Sequence, residues 1–150
     1  MKWVNHKILT SCVILIVTEN PWYALYSVPG AVLPDWIEGI PPDGSRYWEW
    51  RSKHRGLSHW FLPYLCILFF VYWLKHNGFS FWNYPFLGDL GVFIMLGAIM
   101  HILEDAVCGK VPIFSLKKRY GIKLFSVGSI FEYLFCYSLI AGIYYWKFYC

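Results

Sequence analysis

Charged side chains are scarce in this chain. Of its 150 residues, 15% are Asp, Glu, Lys or Arg, whereas 58% are hydrophobic and 22% are aromatic. So little charge excludes an ordinary soluble domain and indicates an integral membrane protein. The length fits a single membrane-embedded domain that spans residues 1–150. The twelve Tyr and nine Trp residues suit the membrane interface, where a ring is buried while its polar edge meets water.

Several catalytic and binding motifs are also missing. The five cysteines form no CxxC pair, which argues against a thiolate metal site or a redox centre. No GxGxxG, P-loop, GxSxG or nucleic-acid-binding motif occurs. The formal net charge of +4 is modest, and we attribute it to membrane topology rather than to a nucleic-acid partner.

The chain instead contains long apolar runs. Five apolar segments are found at residues 7–19, 21–33, 59–75, 88–105 and 130–148. The last three approach the roughly 20 residues that a helix needs to cross a hydrocarbon layer of about 30 Å. The first two are shorter and closely joined, and they form either a short helical hairpin, which the distribution of basic residues favours, or a single crossing. Small residues such as Gly97 and Ala98 indicate close helix packing. The predicted fold is therefore all-α, an integral membrane helical bundle of about five membrane segments.

The basic residues favour one orientation of this bundle. Five crossings place eleven of the thirteen Lys and Arg residues on one side, in residues 1–7, 34–58 and 106–129. The positive-inside rule predicts a multi-pass protein whose basic side faces the cytoplasm. The basic aromatic stretch KKRYGIKL, residues 117–124, either lies along the membrane and attracts anionic headgroups or is simply a basic loop.

Most of the histidines and several carboxylates fall on or just inside the same basic side. They are His6, Asp35, Glu38, His54, His59, His101, Glu104, Asp105 and Glu132. Ionisable side chains at this depth cost several kcal/mol unless they are paired or bound to a metal. Histidine nitrogens and carboxylate oxygens without sulfur suit zinc, or manganese or iron, as one or two ions. His76 alone lies at the far side, where we predict an ordinary interfacial residue.

The motif HILED gives the sharpest local prediction. His101 and Asp105 are four residues apart and therefore share one helical face. The pair either binds one metal or uses the carboxylate to orient the imidazole. The alternative is a hydrogen bond that holds two helices together.

Two further motifs supply polar groups near the membrane surface. In HRGLSH, His54 is expected to precede a helix and His59 to lie in its first turn. Arg55 lies between them. Its guanidinium group can bind a phosphate or a carboxylate through two parallel hydrogen bonds, or it is a cation at the headgroups that sets the membrane topology. Asp35 in LPDWIEG follows a proline and is either a metal ligand or a helix N-cap.

These motifs in this order resemble the YdjM family of inner-membrane, metal-dependent hydrolases. The resemblance runs from His6 through LPDWIEG, HRGLSH, HILED and PIFSLKKRYG to VGSIFEY. A more distant similarity to zinc-dependent phospholipase C and P1-type nucleases implies phosphoester hydrolysis. The family also implies a location in the bacterial inner membrane.

The resemblance also implies roles for individual residues. The implied metal ligands are His6, Asp35, His54, His59, His101 and Asp105, and Arg55 and Glu132 are implied as supporting or catalytic. The chain departs from the family pattern at two positions. Ile37 stands where a second Asp is common, with Glu38 as its substitute, and Trp60 stands where a small polar residue is usual.

Two functions follow as hypotheses. The first is a membrane-embedded hydrolase of a phosphoester such as a phospholipid headgroup, with membrane lipids as partners. In it, Glu104 or Glu132 is the general base and Arg55 holds the phosphate. The second is a non-catalytic membrane subunit of a larger envelope or secretion assembly, with protein partners and with a structural metal or a His/Asp network.

Overall fold

The computed structural model describes residues 1–40, 42–78 and 84–150, and most of them are helical. The helices are α1 (Trp3–Thr18), α2 (Pro21–Gly30), α3 (Leu33–Glu38), α4 (Arg46–Lys53), α5 (Phe61–His76), α6 (Pro85–Cys108) and α7 (Ile130–Tyr149). A 3-10 turn, Leu57–His59, precedes α5, and two short antiparallel strands, β1 (Val111–Ser115) and β2 (Lys118–Tyr120), separate α6 from α7. The predicted helical fold class is confirmed for the described residues, apart from this one small sheet.

The β-hairpin takes up part of the basic stretch at residues 117–124. After β2 the chain crosses the end of α6, where the Ile122 amide donates to the carbonyl of Ala106 at 2.7 Å. Gly121 permits this approach, because a Cβ there would lie 1.7 Å from the Gly109 oxygen. The segment therefore caps a carbonyl that the helix end leaves unpaired. Contact of its lysines with headgroups stays a prediction.

Each of the five predicted apolar segments lies largely within or around one helix, namely α1, α2, α5, α6 or α7. Among the described residues, one stretch, Phe86–Cys108 in α6, is long and apolar enough to cross a membrane. The apolar helices α1 and α5 have 16 residues each, which is short for a full crossing. Helix length thus supports one spanning segment, and it does not establish the five-span topology.

Large apolar side chains cover the outer faces of α5 and α7. Phe69 and Trp73 on α5 and Phe131 and Trp146 on α7 are each at least 59% exposed. The interior instead buries polar side chains, which are Asn5, His6, Thr10, Ser27, His59, His101, Glu104, Asp105 and Glu132. The interior also contains buried apolar side chains, but apolar outer faces around a polar centre suit a surface in contact with lipid.

Helix α2 packs very closely against α6. A Cβ on Gly30 would lie 2.0 Å from the Ile94 oxygen, and one on Gly97 would lie 2.3 Å from the Ser27 oxygen. Glycine is required at both positions because any side chain would collide with backbone. The close packing predicted at Gly97 is therefore confirmed. It brings α3, which follows α2 directly, into contact with α6.

Candidate metal centre

Four predicted ligands come together where α3, the 3-10 turn and α6 meet. One ligand atom from each of Asp35, His59, His101 and Asp105 lies within 4.8 Å of the others. His101 and Asp105 do share one face of α6, with Nε2 and Oδ2 3.9 Å apart. His59 lies in the 3-10 turn just before α5, rather than in the first turn of that helix as expected.

The distances between the four atoms match those around a zinc ion. His59 Nε2 lies 3.3 Å from His101 Nε2, 3.2 Å from Asp35 Oδ1 and 3.4 Å from Asp105 Oδ2. His101 Nε2 lies 3.6 Å from Asp35 Oδ1. Four atoms bonded to one tetrahedral zinc ion at ordinary bond lengths are about 3.4 Å from one another. The group can therefore hold one ion with only small side-chain movements.

Hydrogen bonds on the far side of each imidazole leave Nε2 free to bind a metal. His101 Nδ1 donates to the Ala31 carbonyl at 2.7 Å, because a carbonyl can only accept. The Ser58 hydroxyl donates to Glu38 Oε1 at 3.2 Å and so accepts from His59 Nδ1 at 2.9 Å. A neutral ring with its proton on Nδ1 has a lone pair on Nε2. Metal-binding histidines are typically held in this way.

Asp35 supplies a carboxylate oxygen that lacks a protein donor. Its Oδ1 is buried without a hydrogen-bond partner in the described part of the chain, while Oδ2 accepts from Trp3 Nε1 at 2.7 Å. Burial would raise the pKa of Asp35, but the imidazoles of His101 and His59, when each carries a proton on Nε2 in place of a metal, outweigh burial and lower that pKa below its usual range. An ionised, buried and unpaired oxygen at this point fits a cation.

The chain matches the model of the YdjM inner membrane protein family over residues 1–144. It belongs to that family. The match covers the four-residue group and confirms the resemblance seen in the motifs. It also supports a location in the inner membrane. No curated protein and no solved structure matches the chain.

In this YdjM protein a second group, Asp35, Glu38 and His54, lies beside the first and shares Asp35 with it. His54 Nδ1 pairs with Glu38 Oε2, and the Arg55 amide donates to Glu38 Oε1 at 2.8 Å. Burial would raise the pKa of Glu38, but the adjacent His54 outweighs burial and lowers that pKa. The group is large enough for a second ion, which stays a prediction.

His6 lies against the four-residue group from α1. Its ring stacks on that of His101 with the centroids 3.8 Å apart, and its Nε2 is 3.4 Å from Asp105 Oδ1. That oxygen is not the one that faces His59, since His59 is closest to Oδ2. His6 thus supports two of the converging side chains, and metal binding by His6 itself stays a prediction.

The guanidinium group of Arg55 contacts both carboxylate oxygens of Asp105. Nη2 donates to Asp105 Oδ1 at 2.9 Å, and Nε is 2.7 Å from Oδ2. Gly109 makes room for this contact, because a Cβ there would lie 2.2 Å from Arg55 Nη1. The N-terminal ammonium of Met1 also donates to Asp105 Oδ1 at 2.5 Å, a contact that no sequence motif announces. The predicted contact of Arg55 with a phosphate stays a prediction.

The buried carboxylates Glu104 and Glu132 both bind the N-terminal part of the chain. Glu104 Oε1 accepts from Thr10 Oγ1 at 2.9 Å, and its Oε2 is 2.5 Å from His6 Nδ1. Glu132 Oε1 accepts from Asn5 Nδ2 at 2.5 Å and from the Lys2 amide at 2.8 Å. Sequence reasoning missed Asn5 and Thr10, whose only signal is polarity within an apolar helix. The role of either glutamate as a general base stays a prediction.

Two cavities border the second group. A cavity of about 360 Å³, called the polar cavity because charged side chains line it, has Lys2, Asp35, Glu38 and His54 in its wall beside Trp3 and Trp50. A larger cavity of about 730 Å³ is mainly apolar and is lined by Leu33, Ile37, Leu57, Trp60, Pro63 and Ile67, together with Glu38, Trp50 and Ser58. Because Glu38 and Trp50 line both, the two cavities are neighbours.

Proposed function

We propose that the chain is a membrane-embedded, zinc-dependent hydrolase that cleaves a phosphoester in the headgroup of a phospholipid. The observation that carries the proposal is the convergence of four ligand atoms on one point, with the unpaired Oδ1 of Asp35 among them. A site in an inner-membrane protein has lipid headgroups within reach. In this proposal α1, α2, α5, α6 and α7 are the membrane segments and the basic side faces the cytoplasm.

The roles of the residues follow from their contacts. Bound zinc supplies Lewis-acid chemistry and activates water at neutral pH. His59, His101 and Asp105 hold the ion from the buried side, and Arg55 keeps Asp105 in place. Asp35 holds it from the side of the polar cavity, through which the substrate phosphate approaches.

The polar cavity also offers a proton acceptor. Glu38 and His54 form a hydrogen-bonded pair at its wall, whereas Glu104 and Glu132 bind residues of α1. We therefore assign the general base to the Glu38–His54 pair, in place of Glu104 or Glu132. A positioned base of this kind contributes roughly 10²–10⁴ to the rate.

One observation favours the second hypothesis, a non-catalytic subunit with a structural metal. Structural zinc sites have four protein ligands, whereas catalytic sites keep a position for water. The four converging atoms can fill a tetrahedral shell by themselves. Hydrolysis would therefore require room for water beside these four residues, on the side of Asp35 that faces the polar cavity.

Metal content and turnover together test the two hypotheses. We would purify the protein in detergent and measure zinc and phospholipid hydrolysis for the native chain, His101→Ala and the control His76→Ala, whose side chain is exposed at the end of α5. We expect about one zinc per chain in the native protein and the control, and loss of zinc and turnover in His101→Ala. Equal zinc in all three would refute the site, and zinc without turnover would favour the structural role.

A further inference from the structure

The larger cavity has the size and lining of a ligand site for a hydrocarbon chain. Its volume of about 730 Å³ lies within the range of roughly 300–1,000 Å³ that is usual for small-molecule sites. Helices α3, α5 and α6 contribute Leu33, Ile37, Pro63, Ile67 and Met95 to its wall. An apolar chain is the ligand that such a wall favours.

The cavity lies open to the side that lipid would contact. Three of its lining residues, Ile37, Leu57 and Ile67, are between 45% and 70% exposed. The neighbouring side chain Phe70 on α5 is exposed as well. A membrane lipid can therefore enter sideways, without passing through water.

Two tryptophans of the wall have unused hydrogen-bond donors. The indole Nε1 atoms of Trp50 and Trp60 are both buried without a partner among the described residues. An indole nitrogen only donates, and a buried one normally finds an acceptor. The two donors therefore indicate a ligand that carries acceptor oxygens as well as a hydrocarbon chain.

The position of these donors narrows the class of ligand. Trp50 and Glu38 also line the polar cavity, beside Asp35 and His54 of the metal centre. A free fatty acid would bring its carboxylate towards the carboxylate of Glu38, whereas an ester carbonyl is neutral. The ligand that fits has an apolar chain, ester carbonyls and then a polar head that reaches the second cavity.

We propose that the larger cavity binds the acyl-ester part of a glycerophospholipid, with the indole groups of Trp50 and Trp60 donating to its ester carbonyls. The phosphate of the same lipid then lies in the polar cavity beside Asp35. The assignment of this lipid as a substrate rests on the proposed hydrolase function, but its binding does not require turnover.

Photolabelling of the metal-free, full-length protein tests the binding. A phospholipid with a diazirine on its acyl chain would be cross-linked in detergent micelles, and the labelled peptides identified by mass spectrometry. We expect labels within residues 33–37 and 57–67. Ile67→Trp, which fills the cavity, should reduce labelling at least about fivefold, whereas Phe70→Trp, on the same helix but outside the cavity wall, should not. Labels spread over the outer faces of α5 and α7, or no effect of Ile67→Trp, would overturn the proposal.

A comparison of ester-linked and ether-linked lipids tests the two donors. The native protein should bind the ester-linked lipid about fivefold more tightly, because only this lipid has carbonyl acceptors. Trp60→Phe keeps an aromatic ring but removes the donor, so the preference should shrink while ether-lipid binding stays. An unchanged ester preference in both Trp60→Phe and Trp50→Phe would overturn the donor assignment. Failure of the hydrolase function would abolish only turnover and would leave the labelling pattern intact.

Discussion

Replacing Asp105 by Asn should separate the two roles of this carboxylate. Asp105 offers Oδ2 to the candidate metal centre, and it also forms ion pairs with Arg55 and with the Met1 ammonium. The Asp105 side chain is 3% exposed and that of Arg55 is 14% exposed, so the pair is almost completely removed from water. Asp105→Asn keeps the size of the side chain but leaves both the Arg55 guanidinium and the Met1 ammonium without this counter-charge.

The cost of that loss can be estimated for the metal-free protein. Removing one partner of a buried ion pair costs about 3–5 kcal/mol. Because Arg55 keeps slight access to solvent, we expect the lower end, about 3 kcal/mol. For a chain of this length, each kcal/mol lowers Tm by roughly 2–4 °C, so Tm should fall by about 6–12 °C.

Asp35→Asn is the matched control. It also removes a charged ligand oxygen from the centre. Among the described residues outside the centre, Asp35 accepts one hydrogen bond, from Trp3. An Asn oxygen can still accept that bond, so the loss of stability should stay within about 1 kcal/mol. Both variants should lose zinc, and only Asp105→Asn should lose much stability.

The assay is thermal unfolding in detergent with a chelator present, combined with zinc analysis of untreated protein. Equal Tm values for Asp105→Asn and Asp35→Asn would show that the ion pairs of Asp105 with Arg55 and the Met1 ammonium do not stabilise the fold. Full zinc content in either variant would show that its carboxylate is not a ligand. The first result would refute the stabilising role of Asp105, and the second would refute zinc binding by that carboxylate.

Three other predictions concern the base, the helix packing and pH. Glu38→Gln should lower kcat by about 10²–10⁴ while zinc content stays normal, and an unchanged kcat would exclude Glu38 from proton transfer. Gly97→Ala should lower both Tm and zinc content, because its Cβ would collide with the Ser27 oxygen, whereas Gly142→Ala on α7, with nothing within 4 Å, should not. Because the pKa of Asp35 is lowered, its carboxylate stays ionised in mild acid, so a loss of zinc affinity there should come from protonation of the histidine ligands. Zinc titrations at several pH values check this, and an affinity that is constant down to pH 5 would contradict it.

Local spacing made part of the site predictable. His101 and Asp105 are one helical turn apart, so their common face follows from helix geometry alone. The convergence of Asp35 and His59 on that face depends on contacts between distant segments, such as Gly30 of α2 against Ile94 of α6. The sequence does not show which distant segments meet, so it offered six candidate ligands, of which His101 and Asp105 formed the sharpest local pair.

The partners of Glu104, Glu132 and Arg55 likewise could not be predicted from the sequence. The sequence indicated that these charged groups need partners, because an unpaired charge in an apolar segment is costly. It did not indicate which partners, and the structure pairs Arg55 with Asp105 and both glutamates with residues of α1 or just before it.

The sequence by itself determined the class of protein, the long apolar helices and the types of candidate ligand, because composition and short-range periodicity fix these properties. Only the tertiary structure decided which four side chains share one point and which lie beside it. It also decided that a polar and an apolar cavity meet at Glu38 and Trp50. The physical reason is that both depend on how closely α2, α3 and α6 approach, and that approach is set by backbone contacts between segments far apart in the chain.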